Sequence, residues 1–573
     1  MRFAAGLVLA LVTSAAPFRL RAQPQATDTT TTCDGGTVQS VAVETNRPRF
    51  RGALAWWRKA ARAVGLHHET TSRGLVRRFV SLDPGRRCTE FRRSESERIL
   101  RAQPYIADAT VATVHRGDSI HVDVSTVDEV PVIGSGRFRG AHIEALSLGT
   151  VNFLGAGMHV EGRWEEGRFH RDGVGGKFAH TQVLGRPYSL TLEGTRRPVG
   201  EFYTATLGHA FLTDLQRVAW HSGYGVSKDF ARLRRGDRAL IGQPVDRALW
   251  DVGGVLRVGP PRKLLLLGGM LLGERVAPRS AYSQIDTITD RFTPLVDTAG
   301  VRRYAVYDAT SIAGVLGVRA LAFKRMHALD ALAADQDVAT GVQVGALLGQ
   351  SAPYARLLRQ GFATIDAYVG GKRGRHFAGV RTEAESRFSL RSGDWRHIIV
   401  SGRAAWYMKV TPQWTSELSA EGAGGWNTII PFQFELGDRA GGVRGYVRAH
   451  EPGAQRLVLR LEQRMDLGRF RAQRAAYGVA AFADAGRMWA GDVPFGVDTK
   501  FRASAGVAIL AAVPARSQRT IRGEFALPFD RALGARPEMR FLVREPMRGF
   551  WSDPPRVRWA RLSAAAEQIF SWP

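Results

Sequence analysis

From about Arg139 to the C-terminus, this chain repeats short stretches in which apolar and polar residues alternate one by one. Tyr188-Ser189-Leu190-Thr191-Leu192-Glu193-Gly194 is one, Gly253-Gly254-Val255-Leu256-Arg257-Val258-Gly259 another, and Phe501 to Leu510 a third, with Gly506 in its middle. Side chains of a strand point to opposite faces with period two, so each stretch predicts a strand with one apolar and one polar face. A sheet with lipid on one side and water on the other has that pattern. No apolar run reaches the roughly 20 residues a membrane helix needs. A closed barrel is the other structure that satisfies every backbone group in lipid. About 410 residues, at roughly 26 per strand plus connection, predict a barrel over 139–551 of about sixteen antiparallel strands, an even number as bacterial barrels have. Leu264 to Leu267 run without alternation, which predicts a strand covered on both faces. A soluble propeller or sandwich is the competing fold for many short strands.

The start of the chain argues for export and against the soluble alternative. Arg2 precedes an apolar core, Ala4 to Val12, too short to span a bilayer, and small residues (Ser14, Ala15, Ala16, Ala22) offer cleavage sites. Residues 1–23 thus read as a signal peptide and 24–36 as a flexible linker. Cys33 and Cys88 are the only cysteines, and in an exported chain such an even pair is expected to be disulfide-bonded. Two cysteines without an ordered histidine cluster exclude a metal site. His67-His68-Glu69 lacks ligand spacing and reads as a solvated loop.

Between these segments, residues 37–130 change pattern to a small α+β domain. Val38, Ser40, Ala42 and Glu44 alternate with Gln39, Val41, Val43 and Thr45 as a strand; Leu54, Trp57, Ala61 and Val64 keep helical spacing, and so do Leu75, Val76, Phe79 and Val80. A further helix is expected from Thr89 to Gln103, with Phe91, Ile99 and Leu100 inward. Two alternating strands follow, Ala109 to His115 and Ile120 to Val124.

The formal charge of +27 at pH 7 raises nucleic acid as a partner. The basic residues are dispersed at strand periodicity, with no recognition helix, so they read as arginines of the lumen, the interfacial turns and loops facing anionic headgroups. No nucleic-acid partner is expected.

One loop stands out near the C-terminal end. Gly441-Gly442-Val443-Arg444-Gly445-Tyr446 precedes Arg456 to Arg464, where Leu457, Leu459 and Leu461 share one face and Arg456, Arg460, Glu462 and Arg464 the other. In the next strand, Phe482, Asp484 and Gly486 share a face while alanines fill the opposite one. Val443-Arg444-Gly445-Tyr446 resembles the V-R-G-F/Y signature of the BamA-type outer-membrane assembly and secretion barrels, the bacterial surface antigen superfamily. Phe482-Ala483-Asp484-Ala485-Gly486 is similar to that family's F-x-D-x-G strand, and Glu462 falls where the family carries a lumen-facing glutamate. The strand-helix-helix-strand-strand order of 37–130 likewise resembles a POTRA domain, the periplasmic module preceding such barrels. Carried over, Arg444 pairs with Asp484 and Glu462 on the inner wall and pins the loop, a task suited to a guanidinium fork.

The resemblance implies a Gram-negative outer-membrane protein, acting as a monomer, that inserts or exports unfolded client polypeptides. The client would be captured by POTRA in the periplasm and passed through the barrel seam or lumen, in contact with outer-membrane lipid. The alternatives are a structural or passive-pore barrel without a client, or a lipid-handling relative. No G-x-S-x-G elbow, Walker loop or H-E-x-x-H occurs, and Gly134-Ser135-Gly136 lacks the third glycine of a dinucleotide fingerprint. Neither enzymatic activity nor a cofactor is expected. Family barrels finish on an aromatic closing residue; here Met539 to Val543, extended toward Phe550-Trp551, is the expected last strand. Residues 552–573 form either a further strand or a tail.

Overall fold

The computed structural model describes residues 33, 35–48, 69–116, 119–139, 142–165, 173–197, 200–235, 239–278, 282–285, 292–295, 304–352, 360–437, 442–446, 451–470, 474–530, 535–544, 550–552 and 554–561. The signal sequence, nearly all of the 24–36 linker, the helical pattern of Leu54 to Val64, His67-His68, Gly441 and the chain beyond 561 lie outside these residues.

The N-terminal unit comprises β1 (Thr37–Asn46), α1 (Arg73–Arg78), α2 (Glu90–Arg101), β2 (Ile106–Arg116) and β3 (Ser119–Asp128). Its sheet has the order β1-β3-β2, with β1 parallel and β2 antiparallel to β3. Side-chain caps start both helices: Ser72 accepts from the Leu75 N–H, and Thr89 from the Arg92 N–H. Leu75, Val76, Ile99, Leu100, Val111 and Val122 form a core between helices and sheet. Cys33 is disulfide-bonded to Cys88.

The rest of the described chain is a barrel. Six short strands come first: β4 (Val132–Arg139), β5 (His142–Phe153), β6 (Met158–Glu165), β7 (Gly173–His180), β8 (Ser189–Arg197) and β9 (Gly200–His209). Longer ones follow: β10 (Val218–Arg235), β11 (Ala239–Val258) and β12 (Leu264–Pro278), then a hairpin of β13 (Ser283–Ile285) and β14 (Phe292–Pro294) that rides on the end of β11. The wall continues with β15 (Tyr307–His327), β16 (Asp335–Ser351), β17 (Gln360–Arg373), β18 (His376–Ser389), β19 (Trp395–Lys409) and β20 (Trp414–Trp426). After a two-stranded pair inside the next loop, β21 (Phe434–Glu435) with β22 (Pro452–Gly453), come β23 (Gln455–Phe470), β24 (Ala475–Trp489), β25 (Arg502–Ala512), β26 (Thr520–Pro528) and β27 (Glu538–Arg544). The ring closes where β27 lies beside β4.

Among the described residues the ring has 20 strands besides the hairpin, and the expected sixteen is too few. The repeat is shorter than assumed because β4 to β9 are compact and closely joined; β8 ends at Arg197 and β9 begins at Gly200. Along β15, Ile312, Leu316 and Val318 are exposed on the outer face while Ala313, Val315 and Arg319 are buried inward. An exposed apolar outer face on a closed antiparallel ladder is the surface of an outer-membrane barrel. Leu264 to Leu267 obey the same alternation: Leu264 and Leu266 are buried inward, Leu265 and Leu267 exposed outward. The run looks unbroken because the lumen is also apolar there, where Leu266, Met270, Val315, Leu347 and Phe362 cluster.

The N-terminal unit caps the end of the barrel formed by the short turns. Arg101 on α2 gives two hydrogen bonds to Asp337 (2.9 Å each), and Arg325 at the end of β15 reaches Glu97 (2.8 Å). On other sides of the rim, Glu129 accepts from Ser517 (2.8 Å), Asp108 pairs with Arg516 (2.9 Å), and Gln182 donates to the Leu75 carbonyl (3.2 Å). Past β27 the chain leaves the wall. Phe550 and Trp551 do not extend the closing strand; they and α3 (Pro555–Ala560) lie against the inner wall of β18 and β19.

Candidate functional site: the loop held on the inner wall

The connection from β20 to β23 turns back into the lumen. Its tip sits over the inward row of β24, where Phe482, Asp484, Gly486 and Met488 follow one another at period two and are covered. Arg444 is the centre of the contact. Its Nε and Nη2 donate to the two carboxylate oxygens of Asp484, each at 2.7 Å, and its main-chain N–H donates to Asp484 Oδ2 at 3.1 Å. Nη1 lies 3.4 Å from Glu524 Oε1 and 3.5 Å from Glu462 Oε2. Beneath the guanidinium, Phe482 presents its ring face, 3.4 Å from Cζ to the centroid. Burial alone would favour the neutral form of Arg444, but the hydrogen bonds and charge of Asp484 prevail and raise its pKa above the ordinary arginine value.

The neighbouring motif residues have steric tasks. Gly445 has φ of +86°, a conformation that disfavours other residues, and its N–H donates to Glu538 on β27 at 2.8 Å. Its carbonyl accepts from the Arg536 N–H at 3.0 Å, so the loop tip also touches the closing strand's approach. A Cβ on Gly486 would stand 2.7 Å from Val443 Cγ2 and 2.8 Å from Leu436 Cδ1; the glycine is the seat of the loop's apolar side. Gly506 on β25 faces Phe482 across the ladder, and a Cβ there would meet the ring at 2.4 Å. Tyr446 is buried, with its hydroxyl 3.0 Å from the Ala503 carbonyl and 3.1 Å from Asp530 Oδ1. Burial and the bond to Asp530 push its phenol up to about 12, so it stays a donor at neutral pH.

All the residues singled out in this loop and its two strands therefore meet at one place: Val443, Arg444, Gly445, Tyr446, Glu462, Phe482, Asp484 and Gly486. Reading by strand alternation missed two partners on β26. Arg522 donates to both oxygens of Glu462 (2.9 and 2.8 Å) and, through Nε, to Glu524 (2.8 Å). The available signal was Arg522-Gly523-Glu524, two charges one residue apart on the polar face of an alternating stretch. Arg464 extends the chain of charges to Glu417 (2.6 Å) and to Asp330. Three arginines and five carboxylates thus interleave across β20, β23, β24, β26 and the loops. Such a network is built to hold position: every charge has an opposite neighbour, and none is presented to a reacting atom. Among the described residues no cluster of His, Cys, Asp and Glu is arranged to hold a metal ion.

No family model matches the sequence, and no curated protein does. Among solved structures the chain is similar to CdiB from Escherichia coli, at 12% identity over 92% of each chain and a TM-score of 0.43. It is also similar to BamA from Haemophilus ducreyi lacking POTRA domains 1-3, at 13% identity over 88% of this chain and 83% of that one, with a TM-score of 0.37. CdiB from Acinetobacter baumannii is a third, at 7% identity over 88% of this chain and 73% of that one, TM-score 0.39. With these TM-scores below 0.5, the likenesses carry no functional argument; the chain's own residues must carry it.

Proposed function

We propose that this chain is an outer-membrane factor that inserts or translocates client polypeptides, with the N-terminal unit acting as a single periplasmic POTRA domain. The observation that carries the reading is the loop clamped on the inner wall, with Arg444 on Asp484 and Phe482, in residues that match the assembly-barrel signature in type and order. The sheet order β1-β3-β2 with two helices on one side supports the POTRA reading. In this reading the exposed edges of that sheet hold an extended client by strand addition, and the seam between β4 and β27 is where a client strand or segment passes. Gly445 and Arg536 tie the clamped loop to the approach of β27, which links loop position to the seam. Neither catalysis nor a cofactor enters: folding of the client and burial of its apolar face in lipid drive the process. A passive pore fits less well, because the lumen holds a loop, a C-terminal segment and a capped mouth.

Depletion of the protein followed by quantitative profiling of the outer-membrane proteome tests this. Loss of a restricted set of outer-membrane or surface proteins is the expected result. A proteome unchanged after full depletion would sink the proposal.

A further inference from the structure

The inner wall of β17 to β19 is occupied by residues 550–552 and 554–561. Three arginines of the wall donate to main-chain carbonyls of this segment. Arg403 Nη1 reaches the Phe550 carbonyl, Arg381 Nη1 the Trp551 carbonyl (2.7 Å), and Arg247 Nη2, from β11 across the lumen, the Arg561 carbonyl (2.8 Å). Bonds to carbonyls read a polypeptide backbone and not its sequence. Side chains are recognised at both ends: Arg561 donates to Ser401 Oγ (2.7 Å) and to the Glu383 carbonyl (3.3 Å), Val557 and Ala560 are buried beside Ile399, and an aromatic slot takes the start of the segment. Trp551 lies over Gly379, where a Cβ would stand 2.9 Å from the indole ring, and meets the edge of Tyr368 at 5.4 Å between centroids. Phe550 packs beside it on Phe377, Ala405 and Tyr407.

The wall also keeps partners of its own. Arg381 pairs with Asp366 (2.5 Å) and Glu383 (2.7 Å), and Arg403 lies 3.9 Å from Glu421. Departure of the segment would therefore leave Arg381 and Arg403 each with an acid nearby, which lowers the cost of emptying the site. The described main-chain hydrogen bonds of the segment's own N–H groups stay within it, from Arg558 to Pro554 and from Arg561 to Val557 and Arg558. It is a guest on the wall and adds no strand to the ladder.

We propose that this wall is a docking site for a short polypeptide segment, an aromatic pair followed by a helical turn, and that residues 550–561 are its displaceable internal ligand. Arg247, Arg381 and Arg403 hold the backbone, and Gly379 with Tyr368 and Phe377 makes the aromatic slot. The site stands whether or not the barrel moves a client, so its test reads peptide binding and not client assembly.

The probe is a fluorescein-labelled synthetic peptide with the sequence of residues 550–561, added to the purified full-length protein in detergent and followed by fluorescence anisotropy. In the wild-type chain the internal segment competes. Phe550→Ala with Trp551→Ala should free the wall and tighten apparent peptide affinity by about tenfold or more, the factor set by the fraction of open sites. Adding Arg381→Ala and Arg403→Ala should remove that gain. A peptide scrambled everywhere except the Phe-Trp pair and the positions of Val557, Ala560 and Arg561 should still bind, whereas one with both aromatics replaced by alanine should not. A second variant leaves the tail sequence untouched: Gly379→Leu fills the slot, should open Arg561, which is buried on the wall, to trypsin in the folded barrel, and should bind no peptide. Equal peptide affinity of wild type and the Phe550→Ala, Trp551→Ala variant, with both folded by heat-modifiable migration, would overturn the proposal. So would continued protection of Arg561 in Gly379→Leu.

Discussion

Asp484 holds two guanidinium nitrogens and the main-chain N–H of Arg444, so one carboxylate fixes both a side chain and the backbone that carries it. Removing the arginine leaves Asp484, Glu462 and Glu524 gathered at the wall, with Arg522 and Arg464 as the remaining neutralising charges. Breaking one member of a buried pair costs about 3–5 kcal/mol, less where water enters. The barrel ladder does not depend on this contact. Arg444→Ala is therefore expected to insert normally but to lose function, with the β20–β23 loop becoming sensitive to protease; Asp484→Asn should behave alike, and exchange of the two residues should restore part of the activity. Wild-type activity with an equally protected loop in Arg444→Ala would show that the clamp does not matter. Gly486→Leu separates position from charge, because it keeps every ion while driving a side chain into Val443 and Leu436. It should give the same loss; a Gly486→Leu protein with full activity would place the effect in the charges alone. Arg444, Asp484 and Glu462 were legible beforehand because type, order and strand alternation agree on them. Glu524 and Arg522 were not, since their approach depends on the register that carries Phe482 to Gly506 and Gly506 to Ala526. Alternation gives a face; it does not give the neighbour two strands away.

Helix α2 shows how much of an element its own sequence reveals. Phe91, Ile99 and Leu100 read as inward; Ile99 and Leu100 are buried in the domain core, but Phe91 is only half-buried and faces the rim, where Arg262 lies 5.4 Å over its ring. On the other side of the helix Glu95, Glu97, Arg98 and Arg101 are buried as well, because the barrel rim covers them. Arg98 bonds both oxygens of Glu95 and lies 4.2 Å above the Phe323 ring of β15. A charged face with internal i,i+3 and i,i+4 pairs looks the same in sequence whether water or a barrel lies against it. Strand counting failed for a related reason, since alternation marks strands but the lengths of β4 to β9 are set by the wall they close. At the domain's edge, Cys33 and Cys88 are separated by 55 residues. A bridge closing a loop of that size stabilises by about 4 kcal/mol in the chain-entropy view. Replacing both cysteines by serine in the full-length protein should speed amide exchange in β1 and α2 while leaving β15 to β20 unchanged. Two free thiols in mass spectra of the unreduced wild-type protein would remove this bond from the account.

A barrel of this strand number would enclose a water-filled channel if its lumen were empty; smaller porins already do. Here Leu347 and Ile399 on inward rows are 0% exposed, so the lumen is not an open channel at their level. Loop, C-terminal segment and N-terminal cap each occlude a different part of it. The cap meets the rim through ion pairs and hydrogen bonds distributed over several turns and through Val151, Ile133 and Leu212, which pack on its core; among the described residues no strand of it joins the barrel ladder. If a client enters at the capped mouth, the N-terminal unit must swing away from at least part of the rim during each cycle. Asp108 and Arg516 face each other across that rim at 2.9 Å and take no part in the loop clamp or the peptide wall. Asp108→Cys with Arg516→Cys, joined by a short bismaleimide, should tether the cap and stop client assembly in reconstituted vesicles. The same double variant without the linker should retain activity, because a half-exposed ion pair contributes little on its own. Tethered protein should also keep the low planar-bilayer conductance of the resting state even in the presence of urea at concentrations too low to unfold the barrel, whereas the untethered protein should show openings. Undiminished client assembly by the tethered protein would mean that clients do not pass the cap, and would move the route to the β4–β27 seam alone.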